Sequence, residues 1–279
     1  MTPSPLSLSI PIVTYAPDFA VLEKCVSDLK QSAKVATKMG LLGQCKLTLV
    51  DNGPGEQFGP RLRMLLEASW DDPACESEYI RSDTNVGYAR GHNLAALRQS
   101  SDFHLILNPD VYVQSDALGE ALSFSSTHRE VGLITPAVYG PDGERHYLCK
   151  EDPTLYDLFC RGFAPRWWQR LAAARMAIYE MRQKDYDQVI FDVKYSSGCF
   201  MWLRGPLLRR LGGFDPTFFM YLEDADLTRR VLEVSATAYV PSVRVIHLWS
   251  RGTHASRWLR LVTLHSSFVY FQKWGWRVF

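Results

Sequence analysis

The sequence predicts an α/β fold, a mostly parallel sheet with helices on its faces. Three observations lead there. Short apolar runs alternate with helix-period patterns through the first half of the chain. Polar, turn-forming residues fall where those runs stop, at Thr14-Tyr15, Asp51-Asn52, Asp83–Gly87 and Asn108–Asp110. The balance of 47% hydrophobic to 22% charged residues suits a chain that buries a core rather than staying disordered.

The elements follow in order. Leu8–Val13 reads as a strand, and Asp18–Lys38 as a helix with Phe19, Leu22, Val26 and Leu29 on one face. Lys46–Val50 is a second strand, stopped by the turn residues Asp51-Asn52-Gly53-Pro54. Gly59–Ser69 reads as a helix, Tyr79–Ile80 as a brief strand, Gly87–Ser100 as a helix and Phe103–Leu107 as a strand. This βαβαβαβ series argues a parallel sheet covered by helices, whose ligands sit beyond the carboxyl ends of the strands.

The second half is less regular. Tyr139–Gly143 is a turn, expected within a hairpin. Residues 148–188 break the alternation with Phe159, Phe163, Trp167, Trp168 and Leu171 among arginines, and read as an inserted helical lobe. Val189–Leu203 returns to strand character, Glu223–Val234 to helix and Ala236–Val240 to strand. Ser256–Trp274 is expected to be an amphipathic helix, so residues 1–250 are assigned to one catalytic unit and 251–279 to a basic-aromatic C-terminal segment. That segment lies within a stretch, Val234–Phe279, that holds no Asp or Glu.

Bulk properties exclude several classes. A net charge of +1 gives no global argument for nucleic-acid binding. Six scattered cysteines without a CxxC pair suggest neither a zinc site nor a disulfide framework, and fit reduced thiols. The opening MTPSPLSLSIPIVTY lacks a basic start and a long apolar run, so it is not read as a signal peptide. No apolar run reaches the ~18 residues that span a bilayer, so any membrane contact is expected to be peripheral.

Chemistry concentrates between Ser197 and Arg230. Asp215, Glu223, Asp224 and Asp226 follow or interleave with Phe214, Phe218, Phe219 and Tyr221, and carboxylates beside apolar rings become stronger bases. The bland alternative is a helix whose first-turn acids answer its dipole, with Asp226 paired to Arg230. Asp51 could accept from the N3–H of a pyrimidine with Tyr15 stacked on the base, or simply make a turn. Asn85–Asn93 opens a helix with two glycines, as a phosphate site does, but matches neither GxGxxG nor GxxxxGK[ST]. Asp110, closing a strand after Asn108-Pro109, suits Mg²⁺ or Mn²⁺. His247 is either a metal ligand or a loop histidine.

Together and in this order, IVTY (12–15), LVDNG (49–53), NVGYARGHN (85–93), LILNPDV (105–111), SGCFMWLR (197–204), GGFDPTFFMYLEDADLTRR (212–230) and VIHLWS (245–250) resemble the family 2 glycosyltransferases, in their rhamnosyltransferase-like branch. The resemblance implies a GT-A, Rossmann-like fold, a nucleotide-sugar donor, a divalent metal and inversion at the anomeric carbon. Carried over by position, Thr14, Tyr15, Asp51, Asn85, Gly87, Arg90 and Asn108 would hold the nucleotide sugar. Asp110 and His247 would bind Mg²⁺ or Mn²⁺. Asp224 would be the general base, and Trp202, Phe219, Glu223 and Asp226 would face sugar or acceptor. The wider family has Asp-x-Asp where this chain has Asn108-Pro109-Asp110, which puts strict metal dependence in question.

The implied reaction is transfer of L-rhamnose from dTDP-L-rhamnose to a glycan or lipid-linked acceptor in cell-surface polysaccharide synthesis. UDP-hexose or UDP-galactofuranose donors stay open, as does a non-catalytic glycan-binding subunit of an assembly complex. A nucleotidyltransferase should carry a Gly-rich basic loop after its first strand, and Thr14–Asp18 is not one. The expected location is cytoplasmic, with the basic-aromatic stretches 159–182 and 244–279 either touching anionic lipid on the inner face of the membrane or packing as a lid.

Overall fold

The computed structural model describes residues 4–70, 75–248 and 257–279. Its first half is β1 (Leu6–Thr14), α1 (Phe19–Lys38), β2 (Leu42–Asp51), α2 (Gly59–Ser69), β3 (Cys75–Arg81), α3 (Gly87–Ala96) and β4 (Phe103–Leu107). The expected alternation is present, with longer strands than the apolar runs marked. Asp18 starts α1 by accepting from the amides of Ala20 and Val21 at 3.0 and 3.3 Å, which satisfies amides the helix itself cannot. Leu22, Val26 and Leu29 then bury on one face.

Next come β5 (Val111–Val113), α4 (Ala117–Thr127), β6 (Val131–Tyr139), β7 (Arg145–His146) and β8 (Cys149–Lys150). Three short helices follow within 148–188, α5 (Leu155–Gly162), α6 (Arg166–Leu171) and α7 (Ala173–Tyr179). The remainder is β9 (Ile190–Phe191), β10 (Tyr195–Ser196), β11 (Phe200–Arg204), α8 (Gly205–Arg210), α9 (Glu223–Leu232), β12 (Ala236–His247) and α10 (Arg257–Trp274). The single strand expected over Val189–Leu203 is three pieces. Asp192, at φ 58°, takes a left-handed conformation that short polar residues tolerate, and Ser197–Cys199 forms a loop before β11.

The main sheet runs β3-β2-β1-β4-β11-β6-β12-β5, with β7 on β6 and β9 on β12. β3, β2, β1 and β4 are parallel. β11 enters antiparallel between β4 and β6. β6 and β12 are parallel to each other and, through β11, run in the same direction as β1 to β4, so the sheet is mixed with most of its strands parallel. β12 extends well past Val240 because it absorbs Pro241 at a register shift between Val240 and Arg244, where a missing amide costs no ladder bond.

That topology overturns one expected contact. β11 is internal, so Trp202 is a core residue, 1% exposed. Its ring stacks on Phe103 at 5.1 Å and its Nε1–H donates to Ser125 Oγ at 3.1 Å. Trp202 does not flank a sugar.

Helix α10 is tied to the body at its C-terminal half, where Tyr270 and Phe271 are buried and Ser266 Oγ donates to the Met220 carbonyl at 2.8 Å. In its other half, Trp258, Leu261 and Leu264, followed by Phe268, stand exposed. Trp249, Ser250 and residues 251–256 lie outside the described residues. No described helix is long and apolar enough to cross a membrane.

Candidate active site

Strands β4 and β12, the loop 197–199 and the start of α9 converge on a cleft of about 440 Å³. Asn108, Asp110, Glu223, Asp224 and His247 all line it, so the fold brings the first two acids of α9 to the Asn-Pro-Asp turn and the distant histidine.

Asp224 is the half-buried acid of the group and is held by backbone. Its Oδ2 accepts from the Gly198 amide at 2.8 Å and its Oδ1 from the Ala225 amide at 2.9 Å. Tyr88 braces the same loop by donating to the Gly198 carbonyl at 2.6 Å. A side chain at 198 would press on both: a Cβ there lies 3.3 Å from Asp224 Cβ and 3.4 Å from the Tyr88 hydroxyl. This is a carboxylate pinned in orientation with lone pairs left for a ligand.

Its neighbour differs. Glu223 is 5% exposed and its Oε2 has no hydrogen-bond partner. Burial, and then the charge of Asp224, push its carboxyl well above the usual range and disfavour its charged form. Asp226 follows the alternative reading, the pair with Arg230, and not the acceptor role. Fully buried, it accepts from Arg230 Nε at 2.8 Å and Trp274 Nε1 at 2.9 Å, and pairs with Lys273 Nζ at 2.8 Å. It fastens α10 to α9 and faces no acceptor.

Asp110 and His247 come together because Val111 of β5 is paired in register with His247 of β12. His247 Nε2 lies 3.3 Å from Asp110 Oδ1. Burial opposes charge on the imidazole, but the hydrogen bond and charge of Asp110 outweigh it and lift the ring to about 10. A hard carboxylate beside an imidazole on one cleft wall fits two ligands of Mg²⁺ or Mn²⁺ once the cation displaces the imidazole proton, with the remaining positions left to phosphate oxygens and water. No described group of three or more His, Cys, Asp or Glu side chains forms a complete cage.

The expected nucleotide wall gathers at the ends of β1, β2 and β3 rather than on this cleft. Asp51 is buried, accepting from the Tyr79 hydroxyl at 2.9 Å and the Gly53 amide at 3.0 Å. Thr14 is buried next to it, donating to the Val50 carbonyl at 3.3 Å, while Tyr15 stays 57% exposed with an open ring face. Sequence reasoning missed Asn52, which latches the wall: its Nδ2 donates to Asn85 Oδ1 at 2.9 Å and to the Gly87 carbonyl at 3.1 Å, and its Oδ1 accepts from the Val86 amide at 2.9 Å.

Two expectations for the 85–93 segment are corrected. Gly87, at φ +83°, gives close approach to the chain itself, since a Cβ there would clash with the Phe219 carbonyl. The amides of Val86, Gly87 and Tyr88 are engaged by Asn52, Asn85 and Phe219, so these three are not offered to a phosphate. Arg90 is exposed and its Nε donates to the Pro216 carbonyl at 2.9 Å, a clamp on the loop before α9. Phe219 sets its ring edge-on to Trp258 at 5.2 Å, outside the cleft lining. The cleft also holds Lys150, Arg161, Tyr179 and Tyr195, which no motif announced.

The architecture now has a comparison. The chain aligns with a mannosyltransferase from Pyrobaculum calidifontis, solved with GDP-Man and Mn²⁺, at a TM-score of 0.62 and 16% identity, covering 96% of this chain and 65% of that one. The chain has the GT-A glycosyltransferase fold. No protein-family model matches it. By sequence, this GT-A chain is similar to an N-acetylglucosaminyl-diphospho-decaprenol L-rhamnosyltransferase of Mycobacterium tuberculosis, 26% identical over 167 residues. It is similar also to the rhamnosyltransferase WbbL of Escherichia coli, 26% identical over 172 residues. These alignments take in 60% and 57% of this chain, and 53% and 61% of the relatives. The chain thus spans somewhat over half the length of the curated relatives it matches.

Proposed function

We propose that the chain is an inverting glycosyltransferase that moves L-rhamnose from dTDP-L-rhamnose to a hydroxyl of a lipid-linked glycan. The observation that carries this is Asp224, a carboxylate fixed by the Gly198 amide in the cleft that the Asp110–His247 pair also lines. Asp224 takes the proton from the acceptor oxygen as that oxygen attacks the anomeric carbon from the face opposite the diphosphate. Burial of Glu223 disfavours a second negative charge beside Asp224 that would repel the donor. Thr14, Tyr15 and Asp51 receive the base, Asp51 through a carboxylate already held by Tyr79. Mg²⁺ or Mn²⁺, when bound by Asp110 and His247, would supply positive charge for the departing diphosphate.

The choice of rhamnose and of a lipid-linked acceptor rests on the rhamnosyltransferase relatives, one named for a diphospho-decaprenol substrate. A panel of nucleotide sugars with and without Mn²⁺, read by thermal shift and by nucleoside diphosphate release, tests it. The expected result is the largest shift with dTDP-L-rhamnose plus Mn²⁺, and release only when acceptor is added. A larger response to a UDP-hexose or UDP-galactofuranose replaces the donor. Binding without turnover in any combination replaces the enzyme with a glycan-binding subunit.

Peripheral contact with anionic membrane belongs to the same reading. Its support is the exposed face of Trp258, Leu261, Leu264 and Phe268 beside Arg257 and Arg260, an apolar strip with cations at its edge. Flotation with anionic vesicles at low salt should carry the protein upward. Protein left at the bottom of the gradient ends this part.

A further inference from the structure

The helical lobe sets a buried cation into the active-site cleft without an anion to match it. Lys150 is 4% exposed, lines the cleft, and has no carboxylate within 4.0 Å among the described residues. Its Nζ lies 4.2 Å from the centre of the Tyr195 ring, its cross-strand partner in the β8–β10 pair, which answers part of the lost hydration and none of the charge. Arg161 of α5 lines the same cleft, 5.9 Å from the centre of the Tyr179 ring and without a carboxylate partner among the described residues. Burial, and then the nearby Arg161, pull Lys150 down to about 7. A bound anion would offset both effects. Evolution of a buried lysine as packing alone is hard to credit, because a methionine fills the space without the desolvation cost.

The pair sits on the Asp224 side. Lys150 pairs with Tyr195 of β10, and β10 is tied to α9, which carries Asp224 in its first turn. The mount is rigid: the amide of Ser196 donates to Thr228 Oγ1 at 3.2 Å, and Thr228 Oγ1 donates to the Asp224 carbonyl at 2.7 Å. The same cleft is lined by apolar Leu148, Leu158 and Phe163, and Phe159, Trp167 and Leu171 of α5 and α6 stand exposed. Cations together with apolar surface suit a lipid phosphate.

We infer that Lys150 and Arg161 bind a phosphate of the acceptor, so that the acceptor class is a sugar joined through phosphate or diphosphate to a polyprenyl-type lipid. This deepens the transferase reading and rests on it for the word acceptor. The same chemistry has a second source, the diphosphate of the donor, and the experiment separates the two.

Farnesyl diphosphate, farnesol and inorganic pyrophosphate are titrated calorimetrically into the full chain, with and without saturating dTDP and Mn²⁺. The expected result is that farnesyl diphosphate binds in both conditions and more tightly than either other probe. Lys150→Met and Arg161→Met should each weaken it about tenfold or more, the size of one lost charge-assisted bond, with Lys150→Arg recovering most of the loss. Affinity for dTDP should stay the same in every variant. Weaker dTDP binding with unchanged farnesyl diphosphate binding assigns the cations to the donor and overturns the inference. Equal binding of farnesyl diphosphate by all variants overturns it too. If dTDP fails to bind the wild-type chain, the transferase reading falls, and the phosphate site is judged on its own isotherm without nucleotide.

Discussion

Asp224→Asn is the substitution that bears hardest on the proposed chemistry. Asparagine has nearly the same shape but cannot take a proton from an alcohol, so the reaction loses its base. General base catalysis contributes about 10²–10⁴-fold, and turnover should fall by that amount, equivalent to roughly 3–5 kcal/mol of barrier. The fold should survive. Asp224 accepts from two backbone amides, Gly198 and Ala225. The asparagine oxygen can keep one of those bonds, and its NH₂ meets the other donor head-on.

That mismatch costs about 1–3 kcal/mol, which for a chain of this size lowers Tm by roughly 2–12 °C. The nucleoside diphosphate should bind as before, because Asp110, His247 and the Asp51 wall are untouched. The assay is nucleoside diphosphate release under saturating donor and acceptor, with dTDP affinity measured in parallel. Turnover within about threefold of wild type refutes the reasoning. So does a loss of turnover that weaker donor binding fully accounts for, since a base acts on the chemical step.

Three further perturbations separate structural from chemical roles. Glu223→Gln should stabilise the chain increasingly as pH rises above the ordinary value of 4.5, because folded Glu223 keeps a proton that the unfolded carboxyl releases, and the wild type alone loses stability through that window. Thermal unfolding from pH 5 to 9 checks the sign, and parallel curves refute it. Trp202→Ala should cost about 3–5 kcal/mol by opening a cavity against Phe103, with donor and acceptor KM unchanged in the folded fraction. A rise in KM without loss of stability returns Trp202 to the sugar. Asp226→Ala should cost about 3–5 kcal/mol, since it removes the carboxylate from Arg230 and Trp274 at a buried position and leaves Lys273 to Asp215. Urea unfolding at pH 7 measures it, and an unchanged midpoint contradicts the fastening role.

The parallel half of the fold was legible because β1 to β4 alternate with helices whose apolar spacing is regular. The second half was not, for local reasons. β5 follows the Asn108–Asp110 turn at once and is three residues long, too short for any period. β8, which carries Lys150, has two residues. Trp202 was misassigned because five apolar residues in a row do not say whether a strand is internal or at a pocket edge. The pairing with β4 and β6 decides that, and it is non-local. Asp226 and Asp224 carry the same side chain two positions apart, and only the docking of α10, through Trp274 and Lys273, assigns one to the core and the other to the cleft.

Glu223 and Asp224 can play opposite roles because of how α9 begins. Tyr221 and Leu222, neither of them glycine, both take left-handed conformations, at φ 74° and 64°. Each costs about 1–2 kcal/mol that surrounding structure must offset. Part of the offset lies in Leu222 and Phe218, both buried in the second core cluster, and part in the Ser266 hydroxyl that holds the Met220 carbonyl. The reversal delivers the chain to Glu223 so that the first side chain of the helix turns into the protein, where burial disfavours its charge, while the second meets Gly198 and keeps lone pairs for the cleft. A chain entering α9 by an ordinary extended N-cap would present the two acids together. They would then repel one another and any diphosphate nearby, and neither would be singled out as the base. The strain at 221–222 and the difference between the two carboxyls are in that sense one feature of the site.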